Sequence, residues 1–197
     1  MTVISMLLSA KAFATLEIVI TEGVNSARPI GIVPFQWKGE GNPPGDISQV
    51  VRADLTRSGK FNPIAVDSMP QYPKTAQEVS YTAWANMGVD TVLVGSVEQQ
   101  GADKYLISYQ LVDILKGQLD GGKAKVLRDG KLMTSNEHVI VARQASMSGR
   151  DFRQYAHRIS DIVYEKLTGV RGAFLTKIAY VIVRDRETVK KPYQLVI

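Results

Sequence analysis

The stretch that most limits the possible folds is the run VDTVLVGSV at residues 89–97. It is almost wholly apolar, which is typical of a strand that is covered on both faces. Such a strand needs a packed layer on each side of its sheet. The run therefore predicts a buried strand inside a layered domain.

Strand and helix patterns alternate on both sides of this run. Further strands are predicted at residues 29–35, 61–66, 105–114, 139–145, 178–183 and 193–197. Helical spacing of apolar residues predicts helices that begin after Asp46, after a capping box at residues 75–78, and at Asp151 after a Ser148 cap. The longest covers residues 151–167, and Gly169 is placed to end it. The order β-α-β-α-β-β-β-α-β predicts an α/β fold, with a mixed β-sheet packed by about three helices.

Two segments are predicted to lack strands and helices. Residues 36–45 are dense in glycine and proline and are interpreted as a loop. Residues 116–135 hold four glycines among charged residues and are interpreted as a long mobile excursion between two hairpin strands. Both interpretations rest on composition alone.

Composition excludes several classes of site. The chain has 197 residues, 45% of them hydrophobic, and no cysteine, so disulfides and thiolate sites are excluded. Its net charge is +5, but the lysines and arginines are scattered. This distribution favours a solubility role for the charge over nucleic-acid binding.

The first 14 residues, MTVISMLLSAKAFA, are interpreted as the remnant of a secretory signal peptide. A short apolar stretch precedes Ala12 and Ala14, which have the spacing of a cleavage site. The basic residues that usually begin such a signal are missing, and an unstructured start or a first core strand is the alternative. No apolar run approaches the roughly 20 residues that cross a bilayer.

A nucleotide site is the sharpest enzymatic alternative. Gly39, Gly41 and Gly45 lie between a predicted strand and helix, and Asp67 ends the next predicted strand. The glycine spacing departs from the dinucleotide motif, and the prolines at 43–44 remove two amide donors from the loop. A plain glycine- and proline-rich loop is therefore the favoured interpretation.

Other candidate catalytic and metal-binding residues are also assigned structural roles. His138 and His157 lack the spacing of metal ligands and are interpreted as surface or packing residues, although they could still meet in space. Trp84 is predicted in the core, whereas Trp37 stays undecided between a loop position and an interaction surface. Helix caps and solvated faces are the interpretation for four single carboxylates, Glu22, Asp46, Asp54 and Asp90.

Six segments occur together between Thr15 and Val183: EIVITEGVNSARPIGIVPF, KFNPI, AQEV, GVDTVLVG, YQLVD and EKLTGVRGAF. In sequence and in order they resemble the TolB family of the Tol-Pal envelope system. The resemblance implies an N-terminal α/β domain followed by a β-propeller, with no enzymatic activity and no cofactor. The implied divisions are a signal remnant at 1–14, a partner-binding segment at 15–28, the α/β domain at 29–177 and the start of a truncated propeller at 178–197.

The resemblance also implies a partner-binding site at the mature N-terminus. In this family the segment engages the C-terminal domain of TolA. Carried over by position, the site residues are Leu16, Glu17, Ile18, Val19, Ile20, Thr21, Glu22, Gly23, Val24 and Asn25. Alternating side chains suit a strand that adds to the edge of another sheet. The alternative is a strand built permanently into the domain's own sheet.

Further partners and the location follow from the same resemblance. It implies a periplasmic scaffold that supports outer-membrane integrity and constriction during cell division. Pal is expected to bind mainly through the propeller, and other outer-membrane proteins and colicins are further possible partners. No nucleic-acid partner and no membrane span are expected. The alternative function is a small-molecule or nucleotide-binding α/β module.

Overall fold

The computed structural model describes residues 27–120, 125–128, 131–134, 137–177, 179–184 and 193–196. Its strands are β1 Arg28–Ile32, β2 Gln36–Lys38, β3 Phe61–Pro63, β4 Thr91–Gly101, β5 Lys104–Asp113, β6 Lys125–Arg128, β7 Lys131–Thr134, β8 Val139–Met147, β9 Tyr180–Val183 and β10 Tyr193–Val196. Its helices are α1 Ile47–Arg57, α2 Tyr81–Asn86, α3 Ile114–Asp120 and α4 Phe152–Thr168. Single 3-10 turns lie at Val66–Ser68, Ala76–Glu78 and Gly149–Asp151.

The main sheet is mixed, as the sequence predicts. Its strand order is β3-β1-β4-β5-β8, and β2 pairs with β4 beyond the end of β1. The pairs β1–β3, β1–β4 and β2–β4 are parallel, whereas β4–β5 and β5–β8 are antiparallel. The two remaining pairs, β6–β7 and β9–β10, form separate two-stranded antiparallel sheets. The prediction of a mixed α/β fold is confirmed.

Two hydrophobic clusters cover the two faces of β4. Leu93 belongs to the cluster formed with α1 and α4, and Val94 belongs to the cluster formed with α2 and its fully buried Trp84. Successive strand residues point to opposite faces, so an apolar run through β4 supplies both clusters. This confirms the two-sided burial predicted from residues 89–97, and it confirms Trp84 as a core residue.

The longest helix follows the prediction closely. Helix α4 covers Phe152–Thr168, and Gly169 ends it with a φ of 74°. The left-handed conformation at this position favours glycine, which has no Cβ to clash. Ser148 lies before a 3-10 turn, and its hydroxyl donates to Asp151 Oδ2 at 2.7 Å rather than capping a helix amide.

Three predicted boundaries are wrong. The loop at 36–45 begins with strand β2, whose three residues find partners on the distant β4. The strand at 61–66 ends at Pro63; the Ile64 amide still donates to the Ile30 carbonyl at 3.0 Å, and the chain then enters the 3-10 turn at Val66–Ser68. Thr75 makes no capping hydrogen bond, and the predicted long helix after it divides into the turn Ala76–Glu78 and the short helix α2.

The excursion at 116–135 also contains regular structure. Helix α3 occupies its start, and β6 pairs with β7 in register from Lys125 opposite Thr134 to Arg128 opposite Lys131. The glycine content of this segment therefore predicted neither the helix nor the hairpin. The prediction that this excursion separates two hairpin strands is confirmed, since β5 pairs with β8.

Candidate functional site

The predicted partner-binding segment, residues 16–25, lies outside the described residues. The described chain begins at residue 27, directly before β1. The geometry of this point decides how the segment is attached to the domain. The Arg28 amide donates to the Lys60 carbonyl at 3.0 Å, which ties the start of β1 to the residue before β3.

The side chain of Arg28 fixes this attachment point further. One guanidinium nitrogen donates to the Leu167 carbonyl in the last turn of α4 at 2.6 Å. The Arg28 Cζ atom lies 5.2 Å from the centre of the Phe61 ring, within the range of a cation–π contact. A carbonyl at a helix C-terminus carries partial negative charge and favours a cation beside it. Arg28, the first residue of β1, is thus held by the start of β3 and by the end of α4.

The glycine-rich loop folds onto its own chain. The Trp37 Nε1 atom donates to the Gly41 carbonyl at 2.9 Å, and the Glu40 amide donates to Gln99 Oε1 at 3.1 Å. A Cβ on Gly39 would lie 2.4 Å from the Trp37 ring, so close approach of the ring explains that glycine. Asp67 lies in a 3-10 turn rather than at the end of a strand. The loop therefore does not build the strand–loop–helix cradle of a dinucleotide site.

The two tryptophans take different positions. Trp84 is fully buried under the sheet. Trp37 is half-buried on β2, and its ring centre lies 6.1 Å from that of Tyr105. Trp37, which the sequence left undecided, therefore lies on a strand and packs at the margin of the core.

Asp54 is the residue that sequence reasoning placed wrongly. It is fully buried between α1 and α4, not on a solvated face. Its Oδ2 atom accepts from Ser160 Oγ at 2.7 Å and lies 2.7 Å from His157 Nδ1, while Oδ1 is bonded to Arg57. The helical spacing contained the signal, because Asp54 follows Ile47 by seven residues and shares its face.

The Asp54 cluster contains serine, histidine and aspartate, but it lacks the geometry of a nucleophile and its base. Both Ser160 and His157 bond the carboxylate, and the Ser160 hydroxyl also lies 3.1 Å from the Ala156 carbonyl. Activation of a serine needs its hydroxyl hydrogen-bonded to the imidazole. Ser160 is also fully buried. The cluster instead joins α1 to α4.

His138 is a packing residue on the other side of the sheet. It is 4% exposed, and its ring stands edge-on to Tyr81 with 5.5 Å between the centres. It belongs near α2, whereas His157 belongs to α4, so the two histidines do not form a pair. Among the described residues, no group of three His, Cys, Asp or Glu side chains could hold a metal ion.

Two clefts lie along the terminal strand β8, on the side of α4. The first, about 340 Å³, is lined by Ala145, Met147, Tyr155 and Leu175 among others. The second, about 720 Å³, is lined by Arg143, Arg158, Asp161, Glu165, Arg171 and Leu175 among others. Asp151, Gln154 and Arg158 also line the first cleft, so both clefts carry charge, and the second holds more charged side chains than the first.

Two tyrosines that pack against each other on this side of the sheet, Tyr109 and Tyr155, have raised pKa values. Burial raises the pKa of Tyr109 strongly, with Tyr155 adding to the rise and Arg143 and Arg158 opposing it. Burial likewise raises the pKa of Tyr155, against the same two arginines. The Tyr109 hydroxyl is buried and has no hydrogen-bond partner among the described residues.

Comparison with known proteins identifies the family. Residues 16–119 match the TolB amino-terminal domain, which is more than half of the chain. The chain belongs to this family. The match to the TolB amino-terminal domain includes residues 16–26 and ends within α3, so it covers the attachment point at Arg28 and most of the main sheet.

One solved structure agrees with this assignment. TolB from Acinetobacter baumannii is similar over 86% of this chain at 27% identity, with a TM-score of 0.61. The chain spans about a third of that protein, 35% of its length. PelC from Paraburkholderia phytofirmans matches 72% of this chain and 90% of its own at 12% identity, with a lower TM-score of 0.39. The lipoprotein GNA1162 from Neisseria meningitidis matches 61% of this chain and 79% of its own at 21% identity, with a TM-score of 0.37.

One further finding concerns membranes. Within the described part of the chain, no helix is both long and apolar enough to cross a bilayer.

Proposed function

We propose that this chain is the amino-terminal part of a periplasmic, non-enzymatic scaffold of the Tol-Pal system. Residues 16–25 bind the C-terminal domain of TolA by adding as a strand to an edge of its sheet. The observation that carries the proposal is the family match, which begins at residue 16 and so includes this segment. A terminal strand can supply its main-chain groups to a foreign sheet, with alternate side chains giving selectivity.

The attachment at Arg28 supports this role because it fixes the point where the segment joins the domain. The bonds of Arg28 to the carbonyls of Lys60 and Leu167 hold the base of the segment without using residues before 27. Gly23 and Asn25 lie between the proposed strand and this base, and both residue types tolerate turns. We propose that this fixed base and these two residue types together let the segment reach a partner while the domain stays folded.

The Pal-binding surface is proposed to lie mainly on the β-propeller, of which residues 178–197 form the start. Contacts with other outer-membrane proteins and with colicins, and the support of outer-membrane integrity and of constriction at division, are part of the same proposal. In a pull-down with Pal, this chain is then expected to bind weakly or not at all. Tight capture of Pal by this chain would contradict that assignment.

The direct test removes residues 15–26 and titrates the shortened protein with the TolA C-terminal domain in a calorimeter. Binding should be lost while the thermal unfolding midpoint stays close to that of the full chain. Ile18→Pro should weaken binding strongly, because proline removes an amide from the proposed ladder, whereas the matched variant Ile18→Val should bind nearly as well. An unchanged affinity after the deletion would remove the segment from the mechanism.

A further inference from the structure

The two terminal strands of the main sheet differ in how well they resist pairing with another chain. Strand β3 has three residues and ends at Pro63, which protects its edge. Strand β8 has nine residues, VIVARQASM, with no proline and no lysine. Among the described residues β8 pairs only with β5, so the main-chain groups on its outer side have no partner strand. A long edge of this kind is a template for an added strand.

The two clefts on the α4 side of β8 are lined by different kinds of side chain along the strand. Ala145 and Met147 of β8 and Tyr155 of α4 form the apolar part of the first cleft, which Asp151, Gln154 and Arg158 also line. Arg143 and Arg158 line the second cleft, nearer the start of β8. Residues 143, 145 and 147 alternate along the strand and so share the face that meets α4. Side chains of an added strand would enter both clefts at alternate positions.

The second cleft favours an anionic side chain. Neither the Arg143 nor the Arg158 guanidinium forms a hydrogen bond or ion pair within the part of the chain that the structure describes. With Arg171, three arginines line this cleft against the two carboxylates of Asp161 and Glu165, and Asp161 already accepts from the Phe174 amide at 2.7 Å.

The position of Arg143 also argues against a second copy of this chain as the occupant. Arg143 is the middle residue of β8. Symmetric antiparallel pairing of two β8 edges would place Arg143 opposite its own copy. Like charges directly opposite each other destabilise a strand pair. The edge is thus suited to a different segment that carries negative charge.

We propose that β8 accepts an extended segment of a partner protein as an added strand, with an acidic side chain seated between Arg143 and Arg158 and apolar side chains against Met147 and Tyr155. The main chain of β8 supplies the ladder, and the two arginines select the charge. This surface is distinct from the segment at residues 16–25 and goes beyond the proposed function.

The test uses two nine-residue peptides, acetylated and amidated, that alternate threonine with valine and differ only at the central position. One carries glutamate there and the other lysine. Both are titrated into the full chain labelled with ¹⁵N, and amide shifts and exchange rates are followed. The glutamate peptide should bind about fivefold more tightly, and it should slow amide exchange in residues 139–147. Arg143→Glu should reverse the preference between the two peptides.

Arg153→Glu is the matched control, since it makes the same charge change on α4 beside the start of α1, away from β8. It should leave the preference unchanged. Equal binding of both peptides to the wild-type chain, or the same preference in Arg143→Glu, would overturn the proposal. It would also be overturned if peptides bound only after residues 15–26 were deleted, because the chain's own leading segment would then be the occupant.

Discussion

Replacement of Asp54 by alanine tests the contact that joins α1 to α4. The carboxylate bonds Ser160, His157 and Arg57 in a site where its side chain is 1% exposed. Removal of one partner from a buried polar cluster leaves the others without their hydrogen bonds, which is costly. Asp54→Ala should therefore lower the free energy of unfolding.

The exposure of the partners sets the size of the loss. Hydrogen bonds to a charged group contribute about 1.5–3 kcal/mol each. The Arg57 side chain is 63% exposed and His157 is partly exposed, so both can turn to water, and Ser160 keeps the Ala156 carbonyl as a second acceptor. The three losses are thus partial, and we expect a total of about 2–4 kcal/mol, including the small cavity.

Urea unfolding followed by fluorescence of the buried Trp84 measures this change. With m of about 2 kcal/mol/M, the midpoint should fall by about 1–2 M at constant m. The control Arg57→Ala removes only the exposed partner and should cost at most about 1 kcal/mol. In a double-mutant cycle, Asp54→Ala and Ser160→Ala should show a coupling of about 1 kcal/mol. A loss from Asp54→Ala no larger than that of Arg57→Ala would refute the reasoning.

Three further changes have defined outcomes. Gly95→Ala should destabilise the domain by about 1–3 kcal/mol in the same urea assay, because the new Cβ would lie 2.7 Å from both the Phe35 ring and a backbone oxygen; a neutral effect would contradict this packing. Gly169→Ala should cost about 1 kcal/mol, since its φ is 74°, and Gly169→Asn should cost less; equal losses would contradict the left-handed cap. Tyr109→Phe removes a buried hydroxyl without a partner and should stabilise the chain slightly at pH 7. Burial raises the pKa of Tyr109, so the stability linked to its neutral hydroxyl is fully present below the unfolded tyrosine pKa of about 10 and is lost as the pH rises further. Tyr109→Phe lacks this ionisation and should lose less stability than the wild-type chain between pH 9 and 11. Identical pH profiles of the two proteins would count against the burial of Tyr109.

Elements with strong local patterns were predictable from sequence. Helix α4 carries apolar residues at helical spacing over its whole length and ends at a glycine that the backbone requires. The doubly buried strand β4 is an apolar run with no competing period. In both, local preference and tertiary packing favour the same structure, so the sequence pattern was sufficient.

Elements that depend on distant partners were not predictable. Strand β2 has three residues beside a loop rich in glycine and proline, and only pairing with β4 makes it a strand. Asp54 was assigned to solvent by residue type, although its spacing placed it on the buried face of α1. Arg143 and Arg158 line the cleft at β8 from two different elements, and no spacing along the chain predicts that they share it.

Residues 16–20 are proposed to supply main-chain groups to the sheet of TolA. Amide hydrogen exchange of Leu16, Ile18 and Ile20, measured with and without the TolA C-terminal domain, follows these main-chain groups residue by residue. We expect rapid exchange in the chain alone and strong slowing on addition of TolA, with core amides such as that of Leu93 slow in both states. Exchange at residues 16–20 as slow as at Leu93 in both states, or rapid in both, would contradict it.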